Sequence, residues 1–420
     1  MKSDTTYKKT VLRNGLRVVS EKIPAVRSVS LGVWVNVGSR YEAPDENGMS
    51  HLIEHMLFKG TKKRSAKQIA EVLESVGGQM NAFTSREQTC YMARFLDDKI
   101  EKGVDVLADI TCNSRLTPSN LRMEKMVIRE EIKEAFDNPA DRVHDVFAET
   151  LWDNHPLGMP ILGKAENVIN FPRAKILNYL HRNYLNKSIL IAASGNVSHR
   201  RLVDLSRKYF HFERGITPEA QSAEPLTTSR KVHLDSNGEQ THVCLGYQGP
   251  SYSSHHKMAA LATSCYLGGG MSSVLFQKIR EQKGLAYSVY TFLDFYRDTG
   301  VVGTYVGTDR KHVAESIDII LRELDYMKKR RLSSHKLQSI KDQLRGQLTL
   351  GMESTSAHMN RIARQELYLG QFRSFNQTLD DIYNITSSDI LSFANETFDP
   401  SAIALATLGP IDKTALKNVL

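Results

Sequence analysis

Cysteine is scarce in this chain. Four residues of 420, Cys90, Cys112, Cys244 and Cys265, stand with no C-x-x-C spacing among them. That excludes a disulfide-stapled secreted scaffold and a thiolate zinc site, and leaves four reduced thiols as the simple reading. No apolar run approaches the ~20 residues of a membrane-spanning helix. The first nine residues have neither an apolar core segment nor a small-residue cleavage site, so the expectation is a cytoplasmic chain without membrane attachment. There is no low-complexity tract. The run Gly268-Gly269-Gly270 is not followed by the Gly-Lys-Ser/Thr of a phosphate loop, which leaves a tight turn or a substrate-contacting loop.

With 41% hydrophobic and 24% charged residues, the composition is that of a globular protein long enough for two or more domains with real cores. The net charge of +8 raises the question of nucleic acid. Lys and Arg are interspersed with Asp and Glu, however, and the densest clusters (Lys62-Lys63-Arg64 and Lys328-Lys329-Arg330-Arg331) are short. Aromatic-interleaved basic motifs and recognition-helix signatures are lacking, so solvated faces account for the charge and no nucleic-acid partner is expected.

Two halves of similar order follow one another. Each opens with strand-like segments, 16–20 and 28–37 in the first, 230–235 and 241–247 in the second, and continues through helices with Gly-rich punctuation. The polar, Pro-containing stretch from Arg214 to Pro225 has no apolar period and reads as a linker. The expected organisation is a first domain at 1–213, a linker at 214–230 and a second domain at 231–420, with the halves as a diverged duplication. Strands and helices alternate without regular βαβ spacing, which favours an α+β class. In the first half, helices are expected from 47–50 to a left-handed cap at Gly60, from Ser65 to Gly77-Gly78, over 98–112, from Pro118 to about 137, and over 141–151. A strand is expected over 79–94.

The most informative stretch is His51-Leu52-Ile53-Glu54-His55. On a helix, positions i and i+4 share a face, so both imidazoles can reach one ion, and Glu54 lies close enough to face it too. Two neutral nitrogens beside a carboxylate general base are what a hydrolytic zinc site needs, in the reverse order of the commoner H-E-x-x-H. Apolar Leu52, Ile53, Met56, Leu57 and Phe58 predict that this helix is largely buried, where an imidazole without a partner is costly. The helix from Pro118 carries Glu124 and Glu131 on a stripe with Val127 and Ile128, and carboxylates on an apolar stripe need a cation or donors. Zinc supplies the cation. Glu131 is the candidate third ligand and Glu124 an acceptor that orients a ligand histidine.

This pattern, with Glu131 placed 76 residues after His55 and Glu124 seven before Glu131, resembles the pitrilysin family of zinc peptidases. The likeness is to its mitochondrial-processing-peptidase branch and the bacterial homologues of that branch, and it covers nearly the whole chain. Gly78-x-x-Asn81-Ala82-Phe83-Thr84 resembles the family's substrate-facing edge strand. His155-Pro156-Leu157-Gly158 and Ile161-Leu162-Gly163 resemble a segment of the bacterial members. In the second half, Leu275-Phe276-x-x-Ile279-Arg280-Glu281 and Gly284-Leu285-Ala286-Tyr287-Ser288 resemble the segments bearing the family's Arg and Tyr.

The resemblance implies two homologous α+β domains enclosing a peptide chamber, one zinc ion per chain, and pairing with a second chain as a homodimer or heterodimer. It implies an enzyme: a zinc metalloendopeptidase acting on extended, unfolded peptides. His51, His55 and Glu131 would hold the metal, and Glu54 would be the base. Arg280 and Tyr287 would reach the substrate carbonyl. Asn81, Ala82 and Phe83 would offer an edge to which a peptide adds as a strand. Asp141 and Asp145, four apart on one helix face, repel each other and would welcome a cation between them. They match positions that bind an arginine two residues before the cut, so basic or presequence-like peptides are expected. A non-catalytic partner subunit is the competing reading. Such chains lose part of the metal constellation, which this one keeps, although its second half has no H-x-x-E-H of its own.

Overall fold

The apolar runs of the two halves become two separate sheets in the computed structural model, which describes residues 6–215 and 218–412. Residues 216 and 217 of the expected linker, and the first five and last eight residues of the two expected domains, lie outside the described residues.

The first sheet contains β1 (Thr6–Val11), β2 (Arg17–Lys22), β3 (Ser28–Val35), β4 (Gln79–Thr84), β5 (Thr89–Leu96) and β6 (Ile189–Gly195), in the order β1-β2-β6-β3-β5-β4. The second contains β7 (Arg230–Leu234), β8 (Gln240–Gly249), β9 (Ala286–Phe295), β10 (Gly300–Asp309) and β11 (Ala404–Leu408), in the order β7-β11-β8-β10-β9. Without β1, both orders read first-last-second-fourth-third. In both, the first and last strands pair in parallel and the remaining pairs are antiparallel. Five strands arranged identically are the structural trace of the duplication.

One expectation over this region is corrected. The strand read over 79–94 is a hairpin, because Ser85-Arg86-Glu87-Gln88 turns the chain. The Ser85 amide donates to the Gln88 carbonyl (2.7 Å), and the Gln88 amide donates to Ser85 Oγ (3.1 Å). Polar side chains that bond their own backbone favour turns over strands. The hairpin leaves β4 at the end of the sheet, paired with β5 alone among the described residues.

Both faces of the first sheet are covered. On one side lie α1 (Met49–Leu57), α2 (Ala66–Glu74) and α3 (Ile100–Asn113), packed through Leu52, Ile53, Ile69, Leu73, Val104 and Leu107 against Leu31, Val33, Tyr91 and Ile191. On the other, the helix Thr355–Leu369 packs Met359, Ile362 and Ala363 against Val19, Trp34, Leu190 and Ala192. Buried Glu21 and Glu366 hold that helix further, through His358 and Arg361 on one and Lys9 and Arg17 on the other.

The compact units therefore differ from the chain halves. The first unit draws on residues 1–133, 159–221 and 351–372, the second on 134–158, 222–350 and 373–420. The segment 134–158 contains α5 (Pro139–Trp152), which follows α4 (Pro118–Asp137). It lays Val143, Phe147 and Leu151 on Cys244, Val301, Ala404 and Ala406 of the second sheet. Helix Thr355–Leu369 meets β2, β3 and β6, and α5 meets the equivalent β7, β8 and β11. The exchange is thus reciprocal. Among the described residues no helix is long and apolar enough to cross a membrane.

Candidate His-His-Glu metal centre

The α1 helix forms because its apolar residues fall on a buried face and because its first amides are satisfied from outside. Gly48 precedes it at φ +96°, a backbone that L side chains avoid. A Cβ there would also lie 2.9 Å from Gly163 Cα, so Gly48 and Gly163 allow two loops to meet. The Glu42 carboxylate accepts from the amides of Gly48 (2.8 Å) and Ser50 (2.7 Å) and from Asn47 Nδ2 (3.3 Å). The helix ends at Leu57 with a right-handed Phe58 behind it. Gly60, expected as a left-handed cap, has φ +123° and instead makes a bridge to Ser65.

His51 and His55 lie one turn apart and meet edge to face, with ring centroids 4.7 Å from each other. Glu131 on α4 faces both, its Oε1 lying 3.7 Å from His51 Nε2 and its Oε2 3.6 Å from His55 Nε2. These separations are too long for hydrogen bonds. They are slightly wider than the roughly 3.3 Å edge of a tetrahedron with zinc-ligand bonds of about 2.0 Å. The three ligand atoms lie within 4.8 Å of one another, the one such His/Cys/Asp/Glu grouping among the described residues. The sequence stripe on α4 is partly redrawn: Leu121, Glu124 and Ile128 are buried, whereas Val127 is exposed and Glu131 is 42% exposed. Half-open Glu131 leaves one side of the grouping accessible.

The donor set suits a divalent cation. Glu124, 6% exposed, accepts from His55 Nδ1 (3.2 Å). A carboxylate can only accept, so Nδ1 carries a hydrogen and Nε2 is the nitrogen that faces Glu131. The other Glu124 oxygen meets Lys59 Nζ at 2.8 Å, which balances its charge. His51 is buried, and burial, followed by repulsion from His55, pulls its pKa down to about 4. It is therefore neutral at pH 7, as a ligand must be. Glu54 adjoins His55 in sequence and interacts electrostatically with both His55 and Glu131. Desolvation raises its pKa, a hydrogen bond from Thr84 and the nearby His55 lower it, and Glu131 raises it again.

The other candidate residues fall in two places. In the first unit, Asn81 and Ala82 lie on β4, where Asn81 Oδ1 accepts from the Ala82 amide (2.9 Å). Met80 and Ala82 pack on the α1 side of the sheet, whereas the Phe83 ring packs edge-on to Trp34 (5.5 Å) on the opposite side. In the second unit, Arg280 lies on a π-helical turn, Phe276–Gln282, and Tyr287 is 76% exposed on β9. The Arg280 guanidinium stacks on the Tyr287 ring (4.4 Å) and donates to its carbonyl (3.0 Å). Asp141 and Asp145 are exposed on the first turns of α5, and Asp141 accepts from Asn138 Nδ2 (2.6 Å).

Two residues of the site, Glu42 and Lys59, carry no role in the sequence reading, and Thr84 enters it only as the end of the edge-strand motif. Lys59 lies four residues after His55, and that spacing was the available signal. Glu42 and Thr84 reach α1 through folds of the chain that no local period reports. In the second half, the helix between its second and third strands, Lys257–Gly268, has neither histidine nor acidic residues, so that copy has no metal set there.

Comparison with known proteins agrees with this geometry. Residues 17–165 match the model of the insulinase family, peptidase family M16, and residues 170–344 match that of the peptidase M16 inactive domain. The uncharacterized zinc protease YmxG of Bacillus subtilis is 37% identical over 96% of this chain and 98% of its own length. An uncharacterized zinc protease of Streptomyces coelicolor is 38% identical over 98% of this chain and 91% of its own. Among solved structures, a protease from Helicobacter pylori superposes with a TM-score of 0.91 at 23% identity, over 97% of this chain and 100% of that one. A chain of complex III2 from Candida albicans superposes at 0.84 and 22%, over 98% and 97%. The chain belongs to peptidase family M16.

Proposed function

We propose that this protein is a zinc metalloendopeptidase that hydrolyses extended, unfolded peptides, with His51, His55 and Glu131 holding the ion. The observation that carries the reading is the convergence of two Nε2 atoms and one carboxylate at 3.6–3.7 Å, beyond hydrogen bonding and near a tetrahedral edge. The names of the relatives support it.

Bound there, zinc would lower the pKa of a water molecule and polarise the scissile carbonyl. The protein's own groups do the rest. Glu54 takes the water proton and passes it to the leaving amine. Glu124 keeps the His55 tautomer fixed, and Lys59 keeps Glu124 compensated. A peptide in extended form adds to β4, whose outer edge is unpaired among the described residues. Arg280 and Tyr287 are assigned to the substrate carbonyl and Asp141 and Asp145 to a basic side chain, on the family likeness. Basic, presequence-like peptides are the proposed substrates, and a second chain, identical or related, the proposed partner.

Cleavage-site profiling of a mixed peptide library tests this. Wild type should cut with a preference for Arg two residues before the cut, and Glu54→Gln should bind zinc without turnover. Asp141→Asn with Asp145→Asn should lose the Arg preference and keep cleavage. Wild type without peptidase activity would favour a non-catalytic partner subunit instead.

A further inference from the structure

We infer that Thr84 is the positioning residue for Glu54: its hydroxyl fixes the carboxylate that acts as base and ties that base to the strand on which the substrate docks. The inference rests on Glu54 being the base. Thr84 Oγ1 donates to Glu54 Oε2 at 2.6 Å, the short range of hydrogen bonds to a charged oxygen. Among the described residues no other donor reaches that carboxylate. The last torsion of a glutamate is broad, so a carboxylate without this anchor samples many orientations. With Oε2 held, Oε1 is the oxygen left to accept a proton.

Thr84 is itself firmly placed. It is the last residue of β4, opposite Thr89, and strand alternation puts it on the face of Met80 and Ala82, toward α1. The turn after it is clamped. Ser39 and Arg40 donate their amides to the carbonyls of Ser85 (3.2 Å) and Arg86 (2.7 Å). A Cβ on Gly38 would lie 2.1 Å from the Ser85 carbonyl oxygen, so only glycine permits this approach. Arg40 and Glu87, both buried, pair at 2.7 Å behind it. A peptide that adds to β4 therefore pairs with the same strand that holds the base. Substrate docking and base alignment become one mechanical event.

Thr84→Val keeps the shape and removes the donor, Thr84→Ala removes the donor and the bulk, and Thr84→Ser keeps the donor. With a chromogenic peptide, Val and Ala are expected to lower kcat by about 10- to 100-fold while KM, zinc stoichiometry and melting temperature stay near wild type. Ser restores kcat to within about threefold. In the metal-free crystal structure of Thr84→Val the Glu54 carboxylate is rotated from its wild-type position, and in a Glu54→Gln background the Val change adds nothing. An undiminished kcat in Thr84→Val, or a loss in Thr84→Ser as deep as in Val, overturns the inference. Full turnover by Glu54→Gln alone defeats the underlying assignment of the base, whatever the Thr84 variants do.

Discussion

Glu42 and Ser50 are eight residues apart, and the carboxylate of the first caps the helix that begins around the second: Glu42 Oε1 accepts the Ser50 amide at 2.7 Å in a fully buried setting. The start of α1 is thus held by a side chain from an upstream loop, one position before the first metal-ligand candidate. Burial pushes the Glu42 carboxyl up to about 7, against the lowering effect of its hydrogen-bond donors.

That shift has a signed consequence. A carboxyl whose folded pKa is raised binds its proton more tightly in the folded state. Its stabilising contribution is complete below the ordinary value of 4.5 and is lost as pH rises through about 7. Urea unfolding of the metal-free protein should therefore show wild type losing up to ~3 kcal/mol relative to Glu42→Gln between pH 4.5 and 7.5. Parallel stability curves would mean that Glu42 is already ionised throughout. Glu42→Ala, which strips the cap, should cost ~2 kcal/mol at pH 4.5, and because alanine does not titrate either, that deficit should shrink as pH rises toward 7.5.

Glu124 accepts from His55 Nδ1 at 3.2 Å, the contact proposed to orient that ring. Glu124→Gln should weaken zinc binding by about 10- to 100-fold. Lys59→Met, which leaves Glu124 in place and removes only its compensating charge, should have a smaller effect. Zinc affinities measured by competition with a chelating dye give both numbers, and an unchanged affinity in Glu124→Gln would remove its role.

Phe83 stands beside Asn81 and Ala82 in sequence but turns its ring away from α1, onto Trp34. Phe83→Ala should lower stability by ~2 kcal/mol, below the 3–5 of a fully buried ring, and leave the cleavage-site pattern as in wild type. A changed pattern at retained stability would instead give the ring a substrate contact.

The first-unit site was largely readable from residues, and the fold less so. The spacing of His51, Glu54 and His55 is local, and helix geometry alone puts them together. Pro118 and Pro139 bracket α4 so closely that its span, Pro118–Asp137, follows from the sequence. Glu131 needed one long-range inference, from a carboxylate seated near apolar neighbours. What escaped was set by pairing between distant segments. The polar Ser85–Gln88 turn reads through as part of one strand, and Glu42 and Thr84 act across loops. The exchange of α5 and helix Thr355–Leu369 escaped as well, because an amphipathic helix does not record which sheet its apolar face will cover. The shared strand order is clear in three dimensions because topology outlasts sequence identity.

The central claim is that one divalent ion sits between His51, His55 and Glu131. Anomalous diffraction at the zinc edge, on crystals of wild type and of Glu131→Gln grown with equimolar zinc, tests it most directly. The account predicts a single strong peak in wild type, within about 2.2 Å of both Nε2 atoms and a Glu131 oxygen, and a weakened or absent peak in the variant. A peak elsewhere, or one of equal strength in Glu131→Gln, would contradict it.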